Sequence, residues 1–140
     1  MKIAIYSRGG ETVRHEDLML LLDELEKHKI WCYIQYYFFE QVRHLFPPNQ
    51  YPTFIDAGDL DDSFECIISM GGDGTLLDTL TLIRDSNIPV LGINFGRLGF
   101  LATIGKHELA HTVNALANHT YVIDKRSLIH LDASVPLFGK

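Results

Sequence analysis

Residues 66–75 read Cys-Ile-Ile-Ser-Met-Gly-Gly-Asp-Gly-Thr. Cys66 to Met70 is an apolar run of strand length that stops at Gly71-Gly72. A helical pattern begins at Gly74, so the stretch is a glycine-rich strand-to-helix turn. Glycines there permit positive φ and let the backbone approach a ligand closely. Their N–H groups, with the positive end of the following helix, make a site for phosphate oxygens. Asp73 is the unusual residue among those amides. Beside a phosphate a carboxylate repels, unless it accepts a proton or holds a metal. That combination points to phosphoryl transfer.

Strands and helices alternate on both sides of this turn. Upstream, Lys2 to Ser7 reads as a strand ending at Gly9-Gly10. Glu11 to His28 places Val13, Leu18, Leu21, Leu22 and Leu25 at helical spacing. Trp31 to Phe39 is aromatic and β-branched and predicts a second strand. Gln41 to Phe46 predicts a short helix stopped by Pro47-Pro48. Residues 49–63 carry Asp56, Asp59, Asp61 and Asp62 and read as a solvated loop with one short strand; they lack the ligand spacing of a calcium loop.

Downstream, a helix is expected over 74–86 and a strand over Pro89 to Asn94. A glycine turn follows at Gly96 to Gly99, then an apolar run, Phe100 to Ile104, and a helix over Lys106 to Asn118 with Leu109, Val113 and Leu116 on one face. The alternation predicts an α/β fold, a Rossmann-like parallel sheet flanked by helices, over residues 1–120. From Tyr121 to Val135 the pattern changes to that of antiparallel strand. We therefore expect residues 121–140 to open a β-rich second domain, and the chain to be a fragment.

Composition bounds the function. The chain has 140 residues, one domain by size, with 46% hydrophobic and 21% charged residues. A net charge of −6 argues against a nucleic-acid partner. No apolar run approaches the ~20 residues of a membrane span. The N-terminal apolar run is cut by Arg8 and the glycines, too short for the ~7–15 residues of a signal peptide's core. Cys32 and Cys66 both fall in strand-like runs, as reduced core thiols of a cytoplasmic protein.

The 71–75 turn is neither a Walker A loop, since no Lys-Ser/Thr follows, nor GxGxxG. Thr75 with Asp78 fits a capping box, and Thr75 also suits a phosphate contact. Gly71, Gly72 and Gly74 suit a plain tight turn or a phosphate cradle, and Asp73 a turn-stabilising side chain or a base. A second glycine element, Gly92-Ile-Asn94-Phe-Gly96-Arg97-Leu-Gly99-Phe100-Leu101, leaves the next strand. Loops at the carboxyl ends of neighbouring parallel strands share one crevice, so the two elements should face each other. Asn94 can bond the loop or a ligand. Arg97 is the nearby fixed cation in sequence and suits a phosphate or solvent.

GGDGT followed by this GxNxGxxGFL element resembles the NAD kinases. GGDGT alone is shared with diacylglycerol and sphingosine kinases and, in similar form, with 6-phosphofructokinases. Lipid kinases follow it with a GTGN-type stretch, which is absent here. Lys125-Arg126-Ser127-Leu128 also resembles the stretch that opens the family's second domain. The resemblance implies transfer of the ATP γ-phosphate to the 2′-hydroxyl of the adenosine ribose of NAD, with Mg²⁺ carried by ATP. It implies that Asp73 is the catalytic base and that Gly71, Gly72, Gly74 and Thr75 line the phosphate site. Asp73 and Gly74 would contact NAD, and Phe100 would pack on its adenine side. Asn94, Gly96, Arg97 and Gly99 belong to the same nucleotide-binding set. The partners implied are NAD and ATP, with no nucleic acid or membrane, and a homo-oligomer of the full-length protein. No residue identifies a metal ligand. Part of the family's NAD contact surface, including an Asn-Glu or Asn-Asp pair, lies in the second domain, so this chain alone is expected to be inactive. Two other readings stay open: the nucleotide domain of a lipid kinase, and a non-catalytic nucleotide-sensing module.

Overall fold

The computed structural model describes residues 1–10 and 13–126. Six strands form one sheet: β1 (Lys2–Tyr6), β2 (Trp31–Gln35), β3 (Thr53–Phe54), β4 (Phe64–Met70), β5 (Val90–Asn94) and β6 (Ile104–Gly105). Every pairing is parallel, and the order across the sheet is β3-β2-β1-β4-β5-β6. The chain therefore builds outward from β1 in one direction, then returns and builds outward from β4 in the other. Right-handed crossovers send the connecting helices to opposite faces when the direction reverses. The core divides accordingly. Helices α1 (His15–Lys27), α2 (Tyr36–Val42) and α5 (Leu109–Ala117) cover one face, where Leu18, Leu21, Leu25, Phe38 and Val113 pack on Ile3, Ile5, Ile68 and Met70. Helices α3 (Asp73–Asp78) and α4 (Leu80–Ile83) belong to the other face, where Leu82 packs with Ala4, Phe54, Ile67 and Ile88.

Helix α1 forms because its leucines recur on one face; Leu18, Leu21, Leu22 and Leu25 are all buried, each contributing about 1.5–3 kcal/mol. Its buried acid, Asp17, pairs with Arg14 at 3.4 Å and with Lys106 at 3.1 Å, which ties α1 to the single turn leading into α5. The Lys106 contact is an ion pair without hydrogen-bond geometry, since Asp17 Oδ1 accepts no hydrogen bond.

Three local expectations are corrected. The strand expected over Trp31 to Phe39 ends at Gln35, and α2 starts at Tyr36. The Gln35 side chain accepts from the Phe38 amide at 3.1 Å and caps the new helix, while Phe38 and Val42, four residues apart, bury together. The short helix expected over Gln41 to Phe46 is the end of α2 followed by one 3-10 turn, Arg43–Leu45. The single helix expected over 74–86 divides at Thr79, whose hydroxyl donates to Leu76 O at 2.6 Å, and α4 stops at Ile83 before Arg84, at φ 46°.

The acidic 49–63 loop holds short β3 and a 3-10 turn, Ala57–Asp59, capped by Asp56. No strand forms over residues 121–126, and the remainder of the antiparallel pattern lies outside the described residues. Cys32 and Cys66 are free and buried. Both register against Ile3, one from each side of β1. Two strand spacings, about 9–10 Å, separate them, beyond disulfide reach. Among the described residues no helix is long and apolar enough to cross a membrane.

Candidate functional site

In an open parallel sheet the ligand crevice lies outside the carboxyl ends of the strands, where the strand order reverses. Here that point lies between β1 and β4. Three loops meet around it: residues 7–10 after β1, residues 71–75 after β4, and residues 95–103 after β5.

Asp73 joins the last two. Its Oδ1 accepts from the amides of Leu101 and Ala102 at 2.8 and 2.9 Å, and its Oδ2 from that of Phe100 at 2.8 Å. The Ala102, Leu101 and Phe100 amides hold its carboxyl below the ordinary carboxylate range. Asp73 is thus ionised at neutral pH and acts across the crevice, on amides far along the chain, rather than on its own turn. A carboxylate offers about four acceptor positions. The two bonds on Oδ1 fill that oxygen, and one position on Oδ2 stays open to a ligand.

The glycines make this approach possible. Gly71 sits at φ 149°, a conformation that side chains rarely adopt, with Thr75 Oγ1 at 2.6 Å from where a Cβ would stand. A Cβ on Gly92 would lie 2.5 Å from Leu76 Cδ1, so the start of α3 packs directly on β5. Gly72 faces the Asn94 carboxamide.

The other expected site residues divide. Asn94 is spent on its own loop: it donates to Arg97 O and accepts from the Gly96 amide at 3.0 Å. Gly96 and Arg97 lie exposed on that loop, and the Arg97 side chain makes no hydrogen bond or ion pair among the described residues. Phe100 is 88% exposed directly beside Asp73. Thr75 is buried. The Thr75–Asp78 capping box does not form, because Gly72 is the N-cap and Thr75 stands inside the first helical turn. Asp78 turns instead to β1, accepting from Arg8 Nε at 2.5 Å, from Arg8 Nη2 at 3.0 Å and from the Tyr6 hydroxyl at 2.9 Å. Arg8 holds the Asp78 carboxyl below its usual range. Burial, then the Asp78 bond, pushes the Tyr6 phenol up to about 12.

Arg8 is the residue that sequence reasoning missed. Its Nη2 also donates to Gly74 O at 3.3 Å, inside the 71–75 turn. The signal was faint: a basic residue placed directly before Gly9-Gly10 at the end of the first strand.

A family model described as the ATP-NAD kinase N-terminal domain matches residues 39–121, more than half of the chain and both glycine loops. The chain belongs to the ATP-NAD kinase family. It is 38% identical over 132 residues to an NAD kinase of Flavobacterium psychrophilum, covering 94% of this chain and 45% of that protein. An NAD kinase of Cytophaga hutchinsonii is 46% identical over 92 residues, 66% of this chain and 31% of the relative. The chain thus spans about half the length, or less, of these ATP-NAD kinase relatives. A crystal structure of yeast NADH kinase complexed with NADH superposes with a TM-score of 0.66 at 19% identity, over 84% of this chain and 38% of that one, and shares its fold. The α/β class expected from sequence holds, as does membership of the NAD kinases rather than the lipid kinases.

Proposed function

We propose that this chain is the phosphate-handling part of an NAD kinase, which moves the γ-phosphate of ATP to the 2′-hydroxyl of the adenosine ribose of NAD. The observation that carries the reading is Asp73, a carboxylate set among glycine-loop amides with one acceptor position open. The ribose hydroxyl donates to Asp73 Oδ2. As the hydroxyl oxygen bonds to the γ-phosphorus, the bond from phosphorus to the ADP oxygen breaks, and the hydroxyl proton passes to Asp73 and then to solvent. A carboxylate held below its usual pKa is a weak base. Phosphoryl transfer tolerates that, because its loose transition state asks little deprotonation of the nucleophile and depends on positioning. Gly72 and Gly74 give the triphosphate close access to the backbone of the turn, while the Gly71 N–H is spent on Ile93 O at 3.0 Å. Phe100 offers an exposed aromatic face to the NAD adenine.

Among the described residues no three His, Cys, Asp or Glu side chains converge as a metal cage. Mg²⁺ would be held mainly by the triphosphate, which is how this ion usually enters kinase sites. When bound it supplies neutralisation of phosphate charge.

The test is phosphoryl transfer by the complete gene product given ATP and Mg²⁺, with NAD and diacylglycerol offered separately. NADP formation is expected to fall about 10²- to 10⁴-fold in Asp73→Asn, which removes the proton acceptor and loosens its hold on the loop after β5. Transfer to lipid, or NADP formation indifferent to Asp73→Asn, would overturn the reading.

A further inference from the structure

We infer that Arg8 is the cation that receives the phosphates of the donor nucleoside triphosphate. The inference rests on the NAD kinase reading for the identity of the donor and on donor counting for the site. A guanidinium has five N–H groups in a fixed planar fork. Nε gives its one to Asp78 Oδ2; Nη2 gives one to Asp78 Oδ1 and one to Gly74 O. The two N–H groups on Nη1 have no partner among the described residues, and they are what remains to offer a ligand.

Nη1 is also the atom in the right place. It lies 3.1 Å from where a Cβ on Gly74 would stand, against the 71–75 turn. Any side chain at 74 would push the fork away, which gives that glycine a second reason to be glycine. Arg8 is 54% exposed on its side chain, so Nη1 is reachable from solvent.

The fork is held from both ends. Asp78, itself bound by Tyr6, fixes its plane. At the backbone end, Gln41 of α2 donates from Nε2 to Arg8 O at 3.3 Å and accepts from the Gly10 amide at 2.9 Å. The Ser7 hydroxyl accepts from the Gly9 amide at 3.0 Å. A solvated surface arginine has no need of such support. Preorganisation lowers the cost of ordering the side chain when a ligand binds. Gln41 also packs tightly on this loop: a Cβ on Gly9 would overlap its carboxamide.

Two measurements on the complete gene product test this. The first is the affinity of the Mg²⁺ complex of a non-hydrolysable ATP analogue, by calorimetry, beside the KM values for ATP and NAD. Arg8→Gln is expected to weaken the analogue and raise the KM for ATP about ten- to a hundredfold, the effect of losing a charge-assisted contact, while the KM for NAD stays within about twofold. Arg8→Lys keeps the charge without the fork and should recover part of the loss. The second needs no variant: the analogue should protect Arg8 of the wild-type protein from an arginine-directed dicarbonyl reagent, read by peptide mass mapping, and NAD alone should not. An unchanged analogue affinity in Arg8→Gln, equal losses for both substrates, or an Arg8 equally reactive with and without analogue would overturn the assignment. A complete protein that binds the analogue through Arg8 but makes no NADP would sink the NAD kinase reading and leave this one standing.

Discussion

Gly99 lies so close to Asp73 that a Cβ at position 99 would overlap the Asp73 carboxylate. The loop after β5 can fold down onto that acid only because residue 99 has no side chain. Gly99→Ala should therefore cost about 1–3 kcal/mol in urea unfolding, the range for forced overpacking, and reduce phosphoryl transfer together with stability. Gly96, on the same loop, meets only Asn94 Oδ1 at 3.7 Å. Gly96→Ala should stay within about 0.5 kcal/mol of wild type. Equal effects at the two positions would contradict the contact.

Phe100 carries its amide into the Asp73 bond but leaves its ring almost fully in solvent. Phe100→Ala should leave the melting temperature unchanged. If the ring packs on the NAD adenine, the KM for NAD should rise about two- to tenfold, as for loss of an aromatic contact. A melting point lowered with KM unchanged would assign the ring to packing instead.

Asp73 and Asp78 are both held below the ordinary carboxylate range, the first by backbone amides and the second by Arg8. The unfolded chain then takes up these protons at higher pH than the folded one. Their stabilisation is complete above the unfolded carboxylate value of about 3.9 and is lost as pH falls through the lower folded values. Unfolding free energy should fall between pH 5 and pH 3, and Asp78→Asn should fall by less than wild type over the same interval. An equal or steeper fall in Asp78→Asn would contradict the pairing with Arg8.

Lys106 stands 3.1 Å from a carboxylate, that of Asp17, which is only 3% exposed. Removing it leaves that charge to Arg14 alone. Lys106→Ala should cost about 1–3 kcal/mol in denaturant unfolding, below a fully buried pair because the lysine is half exposed. Asp17→Asn should make the Lys106 change nearly neutral, and independent, additive effects would rule the pairing out.

The legible parts of the sequence were those set by local rules. The alternation of apolar runs marked β1, β4, β5 and the core face of α1. The paired glycine elements marked one crevice, because parallel strands put their carboxyl ends on one side. What local rules could not show was set by distant contacts. Tyr36 to Phe39 has the composition of strand, yet burial of Phe38 and Val42 on one face makes it helix. The Thr75–Asp78 spacing fits a cap, yet Asp78 is drawn off by an arginine in the loop after β1. Asp73 looked like a turn residue or a base; that it fastens two loops together depends on the β4–β5 register, which no single segment carries.

The placing of Cys32 and Cys66 either side of Ile3 makes the two thiols reporters on the sheet itself. Burial pushes both up to about 12, so neither offers a thiolate at neutral pH while the strands are paired. Both lie in the core on the face covered by α1, α2 and α5, so each becomes reactive when that cover opens over its own strand. The rate at which a thiol reagent labels each one therefore counts openings of the core above β2 and above β4. Nucleotide held at the carboxyl end of β4 should slow the clock at Cys66 more than the clock at Cys32.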